Sequence, residues 1–200
     1  MRVLVACEYS GTVRDAFRAR GHDAWSCDIL PTDADPAWHI QGDAIEVAYG
    51  QDWDLMIAHP PCTYLTNSGV RWFYTDPTRW GKLDQAAQFF RRLFNAPIVK
   101  IAVENPIMHK YAKERIDGME QSQVIQPWMF GHMEQKATCL WLKGLPLLRP
   151  TNNVKEQMMA LPNNERQRIF HMPPGPDRWK LRSTTFKGIA DAMADQWGAL

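Results

Sequence analysis

The chain has 200 residues, of which 45% are hydrophobic and 22% charged, as expected for one globular domain with a buried core. Its formal net charge of +1 argues against a generally basic surface, so any nucleic-acid partner must meet a local basic patch. No apolar run approaches membrane-spanning length, and the stretch up to Ala6 is too short for a signal-peptide core. We therefore expect a cytoplasmic protein with no membrane partner.

The spacing of the four cysteines argues against the common cysteine-based sites. Cys7, Cys27, Cys62 and Cys139 are far apart, with no Cys-x-x-Cys pair and no His-rich tract nearby. This pattern predicts neither a zinc site nor a disulfide framework, so no metal ligand is assigned. We expect the four thiols to be reduced.

The first part of the chain alternates short buried strands with helices. Hydrophobic periodicity and turn residues predict, in order, strand Val3–Cys7, helix Thr12–Arg20, strand His22–Cys27, loop Pro31–Pro36, short helix Asp43–Tyr49, and a strand that begins at Trp53 and ends at Cys62.

The second part continues the alternation and then loses it. The predicted elements are a long irregular segment Thr63–Lys82, helix Leu83–Phe94, strand Ile98–Val103, helix Met108–Arg115, strands Val124–Pro127 and Cys139–Leu142, an irregular segment 144–181, and helix Gly188–Trp197. The alternation predicts an α/β fold with a doubly wound, mainly parallel sheet in a single domain.

Two chemically reactive side chains follow neighbouring predicted strands. Cys62 comes after Pro60 and Pro61, and Glu104 follows the next strand along the chain. Open α/β sheets bind ligands at the carboxyl ends of their strands. A lone cysteine is by default a core residue, but its place after two prolines favours a functional thiol. Glu104 needs a partner there, either an amidine-like edge of a substrate or a structural arginine.

A second group of residues lies where a cofactor would bind in such a sheet. The turn containing Gly11 is either a plain strand–helix connection or a cofactor loop, since it lacks a full glycine signature. Asp28, at the end of the second strand, suits a ribose hydroxyl or caps a turn. Asp43 suits an adenine amino group or caps the helix that follows it.

Aromatic and basic residues are interleaved in the segment after Cys62. Arg71, Trp72, Arg79, Trp80 and Lys82 fit a lid over nucleic acid, or the two tryptophans anchor the segment on the core. A second basic cluster forms either a phosphate-binding face or a solvated surface, and it comprises Arg166, Arg168, Arg178, Lys180 and Arg182.

Taken in order, these motifs resemble the DNA cytosine-5 methyltransferase family. The resemblance lies in the turn at Gly11, Asp28, Gly42-Asp43, Pro60-Pro61-Cys62, Glu104-Asn105-Pro106, Gln135 and a tail near Gly188, and the Pro-Cys and Glu-Asn pairs are its specific part. The run from His171 to Trp197 is similar to small phage-type members. The resemblance implies a Rossmann-like sheet of the S-adenosylmethionine-dependent methyltransferase type, acting on DNA in a bacterial or phage-infected cell.

The resemblance also implies roles for particular residues. Cys62 would add to C6 of cytosine and Glu104 would hold N3 and the exocyclic amine. S-adenosylmethionine would be bound by Cys7, Glu8, Tyr9, Gly11, Asp28, Ile29, Asp43 and Pro60. The substrate would be bound by Pro61, Asn105, Arg71, Trp72, Gln135, Lys136, Arg178 and Arg182. The target base must leave the DNA stack to reach such a pocket.

The chain departs from the family pattern in three places. The Phe-x-Gly-x-Gly turn is replaced by Cys7-Glu8-Tyr9-Ser10-Gly11, and the Arg-x-Arg pair by Ala137-Thr138-Cys139, with Lys136, Arg178 or Arg182 as candidate substitutes. The target-recognition region is also short. We divide the chain into a catalytic core at 1–143, a reduced basic recognition segment at 144–181 and a returning C-terminal segment at 182–200. A homodimer or an accessory protein would compensate for the short segment.

Three alternatives remain open from the sequence. The same chemistry could act on a free cytosine nucleotide or on single-stranded nucleic acid. An amino-methylating enzyme of the same fold is a second alternative, although its motif ends in an aromatic residue where this chain has Cys62. A non-catalytic nucleic-acid-binding relic is the third, favoured by the altered glycine turn and the missing arginines.

Overall fold

A computed structural model describes all residues, 1–200, and its centre is a seven-stranded sheet. The strands are β1 (Arg2–Ala6), β2 (Asp23–Asp28), β3 (His39–Gln41), β4 (Leu55–Ala58), β5 (Lys100–Pro106), β6 (Gln123–Ile125) and β7 (Thr138–Lys143). Their spatial order is β3-β2-β1-β4-β5-β7-β6. The first five strands are parallel, and β7 is antiparallel to both of its neighbours.

Nine helices surround or extend the sheet. They are α1 (Thr12–Arg18), α2 (Ala44–Gly50), α3 (Thr78–Phe94), α4 (Lys110–Arg115), α5 (Lys155–Ala160), α6 (Asn163–Arg166), α7 (Arg168–His171), α8 (Arg178–Ser183) and α9 (Lys187–Trp197). Three short 3₁₀ helices span Pro36–Trp38, Asn67–Tyr74 and Pro127–Met129. None of these helices is both long enough and apolar enough to cross a membrane.

The sheet is covered on both faces because its inner strands are apolar on both sides. In β1, Leu4 belongs to a core shared with α2, α3 and α4, whereas Val3 and Val5 face a second core with α1 and α9. Successive side chains of a strand point to opposite faces, so a continuous apolar run needs helices on both sides. This confirms the predicted fold class, a single-domain α/β fold with a Rossmann-like, doubly wound, mainly parallel sheet.

The structure corrects four predictions of local structure, and the first three concern residues before α3 and its first turn. Strand β3 lies where the sequence predicted no strand, because it is an edge strand of only three residues. Strand β4 ends at Ala58 rather than Cys62, since Pro60 and Pro61 have no N–H to continue a ladder. Segment Thr63–Lys82 is not irregular throughout: it contains a 3₁₀ helix and the first turn of α3.

The first turn of α3 is stabilised locally, which explains why the helix begins five residues before its predicted start at Leu83. Asp76 accepts hydrogen bonds from the backbone N–H and the hydroxyl of Thr78, at 3.1 and 2.6 Å. Segment 144–181, predicted to be irregular, contains α5, α6 and α7 and the first part of α8. These helices are four to six residues long, too short to show a helical repeat in the sequence.

Candidate active site

The carboxyl ends of two adjacent strands, β4 and β5, hold the predicted reactive groups. Ala58, the last residue of β4, pairs with Val103 of β5, so the loop carrying Cys62 leaves the sheet beside Glu104. Strand β7 begins at the same edge, because Glu104 pairs with Leu140 in the antiparallel β5–β7 ladder. The sheet order therefore places the thiol and the carboxylate at one edge, as the sequence predicts.

A narrow cleft opens at this edge. It is lined by His59, Glu104, Lys136, Thr138, Thr185, Phe186, Ile189 and Met193. Its walls come from the β4 loop, β5, the start of β7 and the segment that leads into α9. The returning C-terminal segment thus forms part of the site rather than a separate unit.

Glu104 is bound within the cleft by a histidine. Nδ1 of His59 lies 2.7 Å from Oε2 of Glu104, and the two side chains are 11% and 17% exposed. Nε2 of His59 is buried without a hydrogen-bond partner. The partner that the sequence requires for Glu104 is therefore His59, not an arginine, and one nitrogen of that histidine remains free.

The pair favours its charged form. Burial acts to lower the pKa of His59, but the hydrogen bond and charge of Glu104, with Glu8, outweigh it, and the pKa is raised. Burial acts to raise the pKa of Glu104, but His59 and then Lys136 hold it below its usual value. Both shifts favour an ionised carboxylate and a protonated imidazole in the site.

Cys62 is partly buried and electrostatically coupled to the same group. Burial and the charge of Glu104 raise the pKa of the Cys62 thiol, while Lys136 and Arg182 oppose this rise. The thiol is therefore mostly protonated at neutral pH unless cations compensate for Glu104. Both opposing cations are candidates for the arginines that the chain lacks.

A contact to the backbone of α8 holds the Lys136 side chain, which lines the cleft. Nζ of Lys136 donates to the Arg182 carbonyl oxygen at 2.8 Å. Burial and the nearby Arg178 lower the pKa of Arg182, whereas Cys62 raises it. Arg178 itself donates through Nε to the Met172 carbonyl oxygen at 2.8 Å. Lys136 and Arg182 thus act electrostatically on the thiol, and Arg178 acts on Arg182.

Gln135 lies away from this cleft, in a more open one. Its backbone N–H donates to the Arg166 carbonyl oxygen at 2.7 Å, and its side-chain oxygen lies 3.3 Å from Nε2 of Gln167. The open cleft is lined by Gln126, Gln135, Ala137, Gln167 and Phe170. The side chain of Gln135 is thus committed to a contact with α6–α7 and not to Glu104.

The predicted cofactor residues lie together at the neighbouring part of the edge. Burial raises the pKa of the Cys7 thiol strongly, and Asp28, Cys27 and Asp43 add to that rise, so all four are close in space. Cys7 also has a positive φ of 59°, a conformation that non-glycine residues seldom adopt and that often marks functional turns. Asp28 and Asp43 accept one backbone N–H each, from Leu30 and Ile45.

Those contacts leave an unused oxygen on each aspartate. Asp43 is the N-cap of α2, so the capping interpretation holds, but only Oδ1 is engaged. Asp28 likewise uses Oδ1 alone. Ile29, next to Asp28, is 75% exposed, whereas Pro60 is buried.

Two residues of the first turn, Glu8 and Tyr9, make hydrogen bonds that the sequence did not predict. The Glu8 carboxylate accepts the backbone N–H groups of Val13 and Arg14, at 2.7 and 3.2 Å, and so occupies the start of α1. Burial raises the pKa of Glu8. The Tyr9 hydroxyl lies 3.1 Å from the Lys180 carbonyl oxygen, which joins the turn to α8.

The two tryptophans of the segment after Cys62 differ in burial. Phe73 is buried and contacts Trp80, with ring centroids 4.9 Å apart, so Trp80 anchors the segment. Trp72 is 48% exposed, and the Arg71 guanidinium lies 4.6 Å from its ring centroid. Trp72 and Arg71 are therefore available to a partner.

Two further predicted substrate residues differ in exposure. Pro61 is exposed, whereas Asn105 is 1% exposed, with Nδ2 3.5 Å from the Pro60 carbonyl oxygen. Oδ1 of Asn105 is buried without a partner. Asn105 thus supports the loop that carries Cys62, while Pro61 faces outwards.

His59 lines the cleft, although the sequence motifs did not identify it as a residue of the site. The signal was present, because His59 directly follows β4 and precedes the Pro-Pro-Cys motif. A histidine between a buried strand and a reactive thiol is placed at the ligand edge of the sheet.

No protein-family model matches the chain, and no curated protein sequence does. Among solved structures, the chain is similar to a prophage-encoded E. coli protein assigned as a DNA modification methyltransferase, with 16% identity and a TM-score of 0.48 over 82% of this chain and 56% of the other. It is also similar to the Entamoeba histolytica methyltransferase EhMeth, with 12% identity and a TM-score of 0.46 over 76% and 57%. The chain thus spans little more than half the length of either protein.

Proposed function

We propose that this chain transfers a methyl group from S-adenosylmethionine to C5 of cytosine in DNA, through a covalent bond between Cys62 and C6. The observation that carries the proposal is the position of the Cys62 loop beside Glu104 at the carboxyl ends of the paired strands β4 and β5, with Lys136 lining the same cleft as Glu104. A thiol between a carboxylate and two cations suits addition to an electron-poor ring followed by release.

The residues at the first turn fit S-adenosylmethionine, which supplies the methyl group when bound. The unused oxygens of Asp28 and Asp43 are acceptors for a ribose hydroxyl and an amino group. Glu8 already takes the N–H groups at the start of α1, so a phosphate would meet a carboxylate there. That arrangement disfavours a dinucleotide and is compatible with a cofactor that carries no phosphate.

The reaction begins at the thiol. The Cys62 thiolate forms an Sγ–C6 bond, and the C5–C6 π pair moves towards C5, which then accepts the methyl group. Loss of the C5 proton to a base drives the electron pair back, breaks the Sγ–C6 bond and releases the thiolate. Lys136 and Arg182 favour the thiolate at the first step, and the same charges favour its departure at the last.

DNA as substrate is supported by exposed aromatic and basic side chains in the segment after Cys62. Trp72 and Arg71 can stack on a base and meet a phosphate, and the partly buried Arg178 and Arg182 of α8 add positive charge. A base reaching Cys62 must be turned out of a duplex. We expect a second copy of the chain or an accessory protein to contribute to DNA recognition.

A single-stranded or nucleotide substrate is the second candidate. The observation that favours it is the small size of the recognition region, because its only regular structure in residues 144–181 is a set of short helices. Such a region offers little surface for reading a duplex, whereas an unpaired cytosine needs no unstacking.

Methyl-transfer assays distinguish these candidates. Isotopically labelled S-adenosylmethionine is incubated with duplex DNA, single-stranded DNA or deoxycytidine monophosphate, and the products are digested and identified by mass spectrometry. The proposal predicts 5-methylcytosine, its loss in Cys62→Ala and its retention in Cys139→Ala, a buried cysteine of β7. Methyl groups on an exocyclic amine, or full activity in Cys62→Ala, would contradict it.

A further inference from the structure

His59 is the polar group of the cleft to which the mechanism above gives no role. Its ring is 11% exposed, and Nδ1 is engaged by Glu104 at 2.7 Å. Nε2 is buried and has no partner, although the ring lines the cleft. A buried polar atom without a partner is rare in native proteins, and at a ligand edge it points to a group that the ligand completes.

Charged groups surround His59 on several elements. Glu104 on β5 and Glu8 after β1 bring negative charge, while Lys136 before β7 brings positive charge. Cys62 lies on the same loop and is itself coupled to Glu104. The two carboxylates hold a proton on the imidazole, so Nε2 presents an N–H rather than a lone pair.

Bound in this way, Glu104 is poorly suited to protonate a base. An acid must carry the proton it donates, and Glu104 in contact with a charged imidazole is a carboxylate. The imidazolium beside it carries a proton that it can donate, and histidine is the most common proton donor and acceptor in enzymes.

We propose that His59 is the catalytic acid, delivering the proton on Nε2 to N3 of cytosine as Cys62 adds to C6, and that Glu104 is a positioning residue acting through His59. The inference rests on the proposed function and adds a catalytic residue to it. In this arrangement, the unpartnered Nε2 of His59 contacts N3 of the cytosine ring.

The step balances without a further reactant. The Sγ–C6 bond forms as the C5–C6 π pair moves through C4 to N3, and N3 takes the proton from Nε2. The products are a neutral enamine adduct and a neutral imidazole. After methylation, the C5 proton leaves to another base, the Sγ–C6 bond breaks, and N3 returns its proton to His59.

Single-turnover trapping with 5-fluorocytosine distinguishes a residue that donates a proton to N3 from one that removes the C5 proton. The fluorinated ring has no C5 proton to lose, so adduct formation reports addition and methylation only. Wild type, His59→Asn and His59→Gln are compared on single-stranded and duplex DNA carrying 5-fluorocytosine, from pH 5.5 to pH 9.5. His22→Gln, which alters a histidine at the opposite sheet edge, is the control.

Each of the two variants keeps a different one of the two contact positions of the His59 ring. Asparagine can keep a contact with Glu104 but leaves nothing at Nε2, and glutamine places an amide near Nε2 that cannot transfer a proton. Calorimetric binding of S-adenosylmethionine and the unfolding temperature show whether each variant is folded. Because two variants of different shape are used, loss of folding in one leaves the other to decide.

We expect adduct formation to be about 100-fold slower in both variants, within the usual range for general acid catalysis, and unchanged in His22→Gln. The wild-type rate should rise and then fall with pH, and the fall should be absent in both variants. A folded variant that forms adduct at the wild-type rate overturns the assignment while leaving the proposed function intact. A wild type that forms no adduct on any substrate removes the proposed function as well.

Discussion

Oε2 of Glu104 lies 2.7 Å from Nδ1 of His59, on the loop that follows the neighbouring strand, and this contact sets the charge of the cleft. It keeps the carboxylate ionised and the imidazole protonated, and it adds negative charge beside the Cys62 thiol. The remaining chemistry of the site depends on how the neighbouring cations and the substrate compensate for that charge.

Glu104→Gln should shift the pH dependence of adduct formation rather than abolish adduct formation. The Glu104 carboxylate raises the pKa of His59, so a neutral amide lets that pKa fall. The pH at which the rate declines should therefore move to lower values, with substantial activity remaining near pH 6. Single-turnover trapping across pH measures this, and complete loss of adduct at every pH would instead indicate direct contact between Glu104 and the base.

Lys136→Gln and Arg182→Gln should make the Cys62 thiol less reactive. Both cations oppose the raised pKa of this thiol, so removing either raises it further and reduces the thiolate fraction at a given pH. Alkylation of Cys62 by iodoacetamide, followed by peptide mass spectrometry, should be severalfold slower at pH 8. Arg149→Gln, an exposed site, is the control, and equal alkylation rates in all four proteins would show that neither cation tunes the thiol.

Asp28→Asn should weaken binding of S-adenosylmethionine by about 10-fold or more, since hydrogen bonds to charged groups contribute about 1.5–3 kcal/mol. Asp43→Ser should weaken it less, because serine keeps the N-cap of α2 and removes only the free oxygen. Isothermal calorimetry measures both. Asp117→Asn, in the turn after α4, is the control, and unchanged affinity in Asp28→Asn would place the cofactor elsewhere.

Tyr9→Phe should loosen α8 from the first turn. The hydroxyl contacts the Lys180 carbonyl oxygen and Oγ of Ser183, at 3.1 and 3.2 Å, and a typical net contribution is about 1 kcal/mol. Amide hydrogen exchange should become faster in α8. Tyr49→Phe, which removes a 3.0 Å bond to the Arg92 carbonyl oxygen, should leave α8 unchanged. Equal exchange of α8 in both variants would mean that the Tyr9 hydroxyl does not hold this helix.

The sheet could be predicted from the sequence because its inner strands are encoded by local apolar runs. The pattern that places Leu4 and Val5 on opposite faces needs no information from distant residues. Strand β3 and helices α5 to α7 are too short for a repeat to appear, and they form through contacts with distant parts of the chain. An example is the hydrogen bond from Gln135 N–H to the Arg166 carbonyl oxygen.

The site could be predicted only in part. The strand ends of Cys62 and Glu104 follow from the chain order of motifs and a parallel sheet. The contact of His59 with Glu104 depends on β4 and β5 being neighbours, and the approach of Arg182 to Cys62 depends on α8 returning across the edge. Contacts between residues so far apart in sequence have no local signature.

The most direct test of the account is to trap Cys62 on its substrate. Wild-type protein, S-adenosylmethionine and single-stranded or duplex DNA containing 5-fluorocytosine are incubated, and the product is digested for peptide mass spectrometry. We expect one stable adduct, in which Sγ of Cys62 is bonded to a methylated fluorocytosine, and we expect no adduct in Cys62→Ala. Methylation of ordinary cytosine without any such adduct, or an adduct on Cys7, Cys27 or Cys139, would contradict it.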